Sequence, residues 1–156
     1  MRTVFLCGPI TGLTLEQAAG WRRRVTQELA AEALTIDPTR DTPDPYPNVQ
    51  DPETQPVSVG RLSHGKRTVA RDRFDLERSD LVLACFLGAQ RVSIGAVGEI
   101  FWADVLRKPV IIVRELDNPH NHDMLNEIAG WIFDNLEDAI DQIRQIVRPN
   151  AYPLTR

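Results

Sequence analysis

The sequence predicts an α/β protein: an open sheet of five parallel strands covered by helices on both faces. Three observations carry this. Near-continuous apolar runs at Thr3–Cys7, Leu81–Leu87 and Val110–Val113 read as strands buried on both sides. Segments with apolar residues at helical spacing separate them. The block from Val92 to Pro109 passes from small residues (Ser93, Gly95, Gly98) into an apolar run (Ile100, Phe101, Trp102, Ala103, Val105, Leu106), with Glu99 between the two. Strand, small-residue loop, helix and strand make a parallel βαβ unit, and ligands bind where such loops leave the strands.

The elements follow in order. Thr3–Cys7 is the first strand, and Gly8-Pro9-Ile10-Thr11-Gly12 is the loop after it. A helix is predicted from Thr14, with Gln17 completing a capping box. Its apolar face is Ala18, Trp21, Val25 and Leu29, and Arg22-Arg23-Arg24 reads as a solvated basic face. Leu34–Asp37 is a weak second strand. From Pro38 to about Gly65 the chain is rich in proline (38, 43, 45, 47, 52 and 56), Asp, Thr and Asn. So long a loop is either functional or disordered, and its place after a strand suggests a lid over the site. Lys66 to Arg78 is predicted helical, with Asp75 solvated. Strand 3, the block around Glu99 and strand 4 follow. Leu116 to His122 is polar and irregular, Met124–Ile128 a short helix and Trp131–Phe133 the last strand. Asn135 caps a final helix with the apolar face Leu136, Ile140, Ile143 and Val147, which Pro149 stops.

Five strands in such a chain take the flavodoxin-like order 2-1-3-4-5 most simply, a three-layer sandwich whose switch point lies between the loops after strands 1 and 3. At 156 residues the chain fits one domain, residues 1–156. The formal net charge of −4 argues against a broad nucleic-acid footprint, so no nucleic-acid polymer is an expected partner. The opening apolar run breaks at once at Gly8-Pro9, unlike a signal peptide, and no apolar stretch reaches membrane-spanning length. Cys7 and Cys85 read as reduced core thiols, which places the protein in the cytoplasm.

At the switch point the first loop offers backbone N–H groups, and the block around Glu99 offers Ser93, two glycines, a helix start and a carboxylate. Asp72 or Asp75 can enter from the preceding helix. No metal cage is indicated: His120 and His122, two apart, do not match a helical metal pair. There is no Gly-x-Gly-x-x-Gly, no P-loop lysine and no Gly-x-Ser-x-Gly elbow. Two carboxylates beside a small polar crevice suit glycosidic chemistry, one attacking an oxocarbenium-like carbon while a second group handles the leaving-group proton. An acid near a helix start is also read as a structural cap.

Three blocks together resemble the nucleoside 2-deoxyribosyltransferase family, a superfamily that includes 2′-deoxynucleoside 5′-monophosphate N-glycosidases and CMP hydrolases. They are Phe5–Gly12, Asp72 with Ser79–Ala84, and Ser93–Ile100 with Lys108–Ile111. The resemblance spans nearly the whole chain. It implies the flavodoxin-like fold, no metal or other cofactor, and a homodimer or larger assembly with sites near subunit interfaces. It further implies that Glu99 attacks C1′ to form a glycosyl ester, and that Asp72 protonates the departing base or holds the sugar. On the same grounds Phe5, Gly8, Pro9 and Ile10 line the nucleoside pocket, with Ser93 and Gly95 from the third block. Asp123, with His122, reaches the 5′ end of the sugar in a neighbouring subunit. Asp72 also has the plainer reading of a surface acid beside Arg71 and Arg73.

The substrate class stays open between readings. Ser93, six residues before Glu99, resembles the phosphate-contacting serine of the nucleotide-cleaving branch. Against that, Thr11 stands where the monophosphate glycosidases commonly place an arginine, and the end of the chain, 150–156, lacks the aromatic last residue of some transferases. The first expectation is transfer of a deoxyribosyl group from a nucleoside to a free nucleobase. The second is hydrolysis of a (deoxy)nucleoside 5′-monophosphate to free base and sugar phosphate. The third is a nucleotide-sensing module without turnover.

Overall fold

The computed structural model describes residues 1–10, 13–40 and 64–148. Its elements are β1 (Arg2–Cys7), α1 (Leu15–Glu28), β2 (Ala33–Ile36), α2 (His64–Glu77), β3 (Leu81–Cys85), α3 (Ile94–Val105), β4 (Val110–Val113), α4 (Asp123–Ile128), β5 (Trp131–Phe133) and α5 (Leu136–Val147). The five strands are all parallel, in the order β2-β1-β3-β4-β5, the flavodoxin-like arrangement the sequence predicts. Thr11 and Gly12, the body of the expected lid (41–63) and the chain end from Pro149 lie outside the described residues. None of the described helices is long and apolar enough to cross a membrane.

Strand alternation divides the core into two layers. Val4, Leu6, Leu81, Leu83, Cys85, Ile111 and Val113 face α1 and α5, where Val25, Leu29, Ile140 and Ile143 cover them. Phe5, Cys7, Val82, Ala84, Val110 and Ile112 face the other way, against Leu76, Ile100, Ala103 and Leu125 of α2, α3 and α4. Both faces are closed, which is why these strands carry apolar residues without alternation. Register puts the ends of β1 and β3 side by side: Cys7, the last residue of β1, pairs with Ala84, one residue before the end of β3. Their loops therefore leave the sheet together at one edge.

Two helix signals are the predicted ones: Thr14 and Gln17 form the capping box of α1, and Asn135 accepts the Asp138 N–H at the start of α5. The cap of α4, His122, carries no such expectation. Two boundaries move. The stretch around Gly95 and Gly98 is not a loop: Ser93 Oγ accepts the Ala96 N–H, and α3 begins at Ile94. The cap outweighs the poor helix propensity of the two glycines. Glu99 consequently sits past the first turn of α3 rather than at its start. Strand 3 stops at Cys85 because the chain turns away at Gly88, whose φ of 73° suits glycine.

Two charged residues overturn the reading of them as solvated. Arg22 is fully buried. Its guanidinium donates to the carbonyls of Leu6 (3.2 Å), Gly8 (3.0 Å) and Ala18, stands 4.5 Å from the Trp21 ring centroid and lies 3.6 Å from Asp37. Only Arg23 and Arg24 remain outside, paired with Glu16, Glu28 and Glu137. Asp75 is buried too, its carboxylate held by Arg40 and, at 2.8 Å, by Arg78. In each case the charge goes inside because fixed partners replace its water.

Removing Arg22 leaves three buried carbonyls short of a donor. Arg22→Met is expected to lower the unfolding free energy by about 3 kcal/mol in urea titration. An undiminished midpoint would return Arg22 to the solvated face.

Candidate active site

The site is built where β1 and β3 end. Gly8, Pro9 and Ile10 leave β1 and form one wall of a cavity of about 420 Å³. Arg91 to Ala96 and Glu99 form a second wall, and Thr68 and Asp72 of α2 complete it. Gly8 must be glycine. A Cβ there would stand 2.7 Å from the Cys85 carbonyl oxygen, 3.1 Å from Trp21 and 3.3 Å from Arg22. The close approach of the two loops at the switch point thus rests on a missing side chain. Arg22 holds the Gly8 carbonyl from behind.

Glu99 projects from α3 towards Cys7, the last residue of β1. The Cys7 thiol lies 3.5 Å from the Ala96 carbonyl oxygen and has one hydrogen to share between that oxygen and the neighbouring Glu99 carboxylate. Burial pushes Glu99 up to about 7, and the negative charge of Asp72 adds to the shift. The Cys7 hydrogen bond and the positive charges of Arg22 and Arg71 oppose it without cancelling it. Cys7 itself is raised well above an ordinary thiol, first by burial and then by Glu99, so it remains a neutral donor. Asp72 is buried, and burial raises it as well, against the pull of Arg71 3.2 Å away. The Arg71 guanidinium also donates to the Pro38 carbonyl at 2.7 Å, tying α2 to the end of the β2 segment.

The cavity brings together seven of the residues expected in the site: Glu99, Asp72, Gly8, Pro9, Ile10, Ser93 and Gly95. Phe5 does not join them. It is fully buried in the layer beneath, because the alternation of β1 turns it into the packing between the sheet and α2–α3. His122 and Asp123 lie at the start of α4, exposed and outside the cavity wall. Asp72 is not the exposed surface acid of the plainer reading. Among the described residues no group of three His, Cys, Asp or Glu is arranged to hold a metal ion.

Arg22, Cys7, Arg91 and His120 shape the site without having been singled out for it. Arg22 was legible in principle, since it stands one turn from Ala18 and three residues before Val25, on the apolar stripe of α1. Arg91 and His120 lie in irregular segments, where periodicity gives no signal.

A carboxylate protonated more readily in the folded chain than in the unfolded one stabilises the fold at low pH. That contribution is full below about pH 4.5 and is lost as pH rises through about 7. Glu99→Gln removes the penalty, so the variant should exceed the native chain in stability at pH 8, by an amount on the order of 2 kcal/mol. The two should converge at pH 4. Thermal unfolding at both pH values measures this, and an equal difference at both would mean that Glu99 is not held near 7.

No protein-family model and no curated protein matches the chain. Solved structures do. The 2-deoxyribosyltransferase of Bacillus psychrosaccharolyticus superposes with a TM-score of 0.61 at 14% identity, covering 92% of this chain and 90% of that one. A 2-deoxyribosyltransferase from Leishmania mexicana gives 0.65 at 13% identity over 93% and 98% of the two chains. The CMP N-glycosidase of Clostridium botulinum gives 0.55 at 15% identity over 93% and 99%. The chain thus shares its fold, over more than nine-tenths of its length, with structures of two deoxyribosyltransferases and a CMP N-glycosidase, the family its sequence blocks resemble.

Proposed function

We propose that the protein cleaves the N-glycosidic bond of 2′-deoxynucleosides and passes the deoxyribosyl group to another nucleobase through an ester on Glu99. One observation supports this above the others: two carboxylates from different helices, the buried Asp72 and the half-buried Glu99, line a single cavity at the switch point. A Glu99 oxygen attacks C1′ as the C1′–N bond breaks, and the bond electrons leave with the base. Asp72 gives that base its proton, or holds the sugar while the base departs. A nitrogen of the incoming base then attacks C1′ as the ester C1′–O bond breaks; Glu99 leaves as carboxylate, and the proton of that nitrogen goes to Asp72, or to solvent where Asp72 only holds the sugar. Poor solvation favours the first step, because the destabilised Glu99 charge is relieved by the positive charge growing on the sugar. In the same reading His122 and Asp123 serve the 5′ end of the sugar in a neighbouring subunit.

A second reading, hydrolysis of a nucleoside 5′-monophosphate, has one observation of its own. Arg91 stands in the cavity wall beside Ser93 and the first amides of α3. A guanidinium and a helix start suit a phosphate, and they answer the arginine missing at Thr11.

The test is product analysis with deoxynucleosides and their 5′-monophosphates, each with and without a second free base. A new nucleoside formed only when the second base is present is the expected result. Free base and sugar phosphate without an acceptor would favour hydrolysis, and binding without product would favour the sensing role. Whichever substrate turns over, kcat/KM should rise with pH through about 7, as Glu99 ionises. Glu99→Ala should lower turnover by roughly a thousandfold or more while the chain stays folded. Asp72→Asn should slow cleavage about 10- to 100-fold, most for bases that leave poorly. Unchanged rates in Glu99→Ala would remove the nucleophile from the scheme.

A further inference from the structure

The segment from Phe86 to Ser93 carries Arg91, Val92 and Ser93 into the cavity wall, and three hydrogen bonds tie it to the segment after β4. The Gly88 N–H donates to Glu115 Oε1 at 2.7 Å. Asn118 Nδ2 donates to the Phe86 carbonyl at 2.8 Å and to Glu115 Oε2 at 2.7 Å. The Ser93 N–H donates to Nε2 of His120 at 2.8 Å. His120 is 1% exposed and stacks on Phe86, ring centroids 3.8 Å apart.

These contacts fix the protonation of the ring. The Asn118 amide nitrogen faces two acceptors, so the amide cannot be flipped and its Oδ1 is the atom that meets His120 Nδ1, at 2.9 Å. Oδ1 also accepts the His120 backbone N–H at 3.0 Å. Nδ1 must therefore carry a hydrogen. Nε2 must be bare, because a second ring proton would point at the Ser93 N–H. Burial lowers the His120 pKa, in keeping with the neutral form.

We propose that His120 is a positioning residue of the candidate site: as a neutral Nδ1–H imidazole it accepts the Ser93 amide and fixes the start of α3 against the cavity. This deepens the functional reading above and rests on it. His120 does not line the cavity. It acts through Ser93, whose hydroxyl caps the helix that carries Gly95 into the wall and, six residues on, Glu99. With the Ser93 amide engaged by His120, the next two amides of α3, which a helix leaves without intrahelical partners, are held at a set place beside the substrate.

Two variants and one spectroscopic measurement test this. His120→Phe keeps the stack on Phe86 and removes both nitrogens. With the substrate that the native chain turns over fastest, KM should rise about tenfold while kcat changes by less than about twofold, the pattern of lost binding rather than lost chemistry. His120→Gln offers an amide oxygen to Ser93 and should recover most of that loss. Nitrogen-15 spectra of the labelled native chain at pH 7, without substrate, should show His120 with a protonated Nδ1 and a bare Nε2. A folded His120→Phe variant with native KM, or a protonated Nε2, would overturn the proposal. If the native chain turns over nothing, the functional reading fails on its own, and the spectrum still decides the Ser93–His120 bond.

Discussion

The site depends on one costly arrangement, the Glu99 carboxylate held in a water-poor corner between α3 and the end of β1. Burial disfavours its charge, and only the Cys7 thiol and two nearby guanidinium groups offset part of that cost. A fold accepts such a group where the rest of the structure is rigid enough to impose it. Here the rigidity comes from a sheet buried on both faces, with Cys7 fixed by pairing to Ala84 and α3 fixed by Ile100 and Ala103 in the core. The carboxylate is a small cost against two closed apolar layers.

Around it, buried polar residues do the orienting that a loop alone cannot. Arg22 reaches through from α1 to the carbonyls of Leu6 and Gly8, so the backbone entering the site is held from the opposite side of the sheet edge. Asp75 gathers Arg40 and Arg78, and Arg71 reaches Pro38, so α2 is tied to the segment after β2 at more than one point. Asn118 and His120 brace the loop after β3. These charged side chains, one amide and one imidazole brace the sheet edge around the cavity, each held by named partners.

Much of this was legible in the sequence, and the exceptions have physical causes. Parallel strands such as Val110–Val113 announce themselves because both faces are buried, and the cap at Thr14 announces α1 because few residues can satisfy its first amides. Glu99 is visible as an acid among apolar neighbours, and Asp72, within a charged run, through the spacing of the three blocks. Arg22 and Asp75 were misread because charge weighs more than position in reading a helix face, whereas a buried charge depends on partners far along the chain: Asp75 meets Arg40 from 35 residues away. The resemblance of the Phe5–Gly12 block puts Phe5 in the pocket, but strand alternation sends it into the layer below. His120 and Arg91 are placed by irregular backbone, which leaves no periodic trace.

In the proposed reaction Glu99 becomes covalently bound to the sugar. The most direct measurement is mass spectrometry of the intact chain, acid-quenched during turnover of a deoxynucleoside or its 5′-monophosphate, followed by peptide mapping. A deoxyribosyl or deoxyribosyl-phosphate adduct on the peptide carrying Glu99, absent from Glu99→Ala, is the predicted result. Turnover at full rate with an adduct on another residue, or in the Glu99→Ala chain, would contradict it.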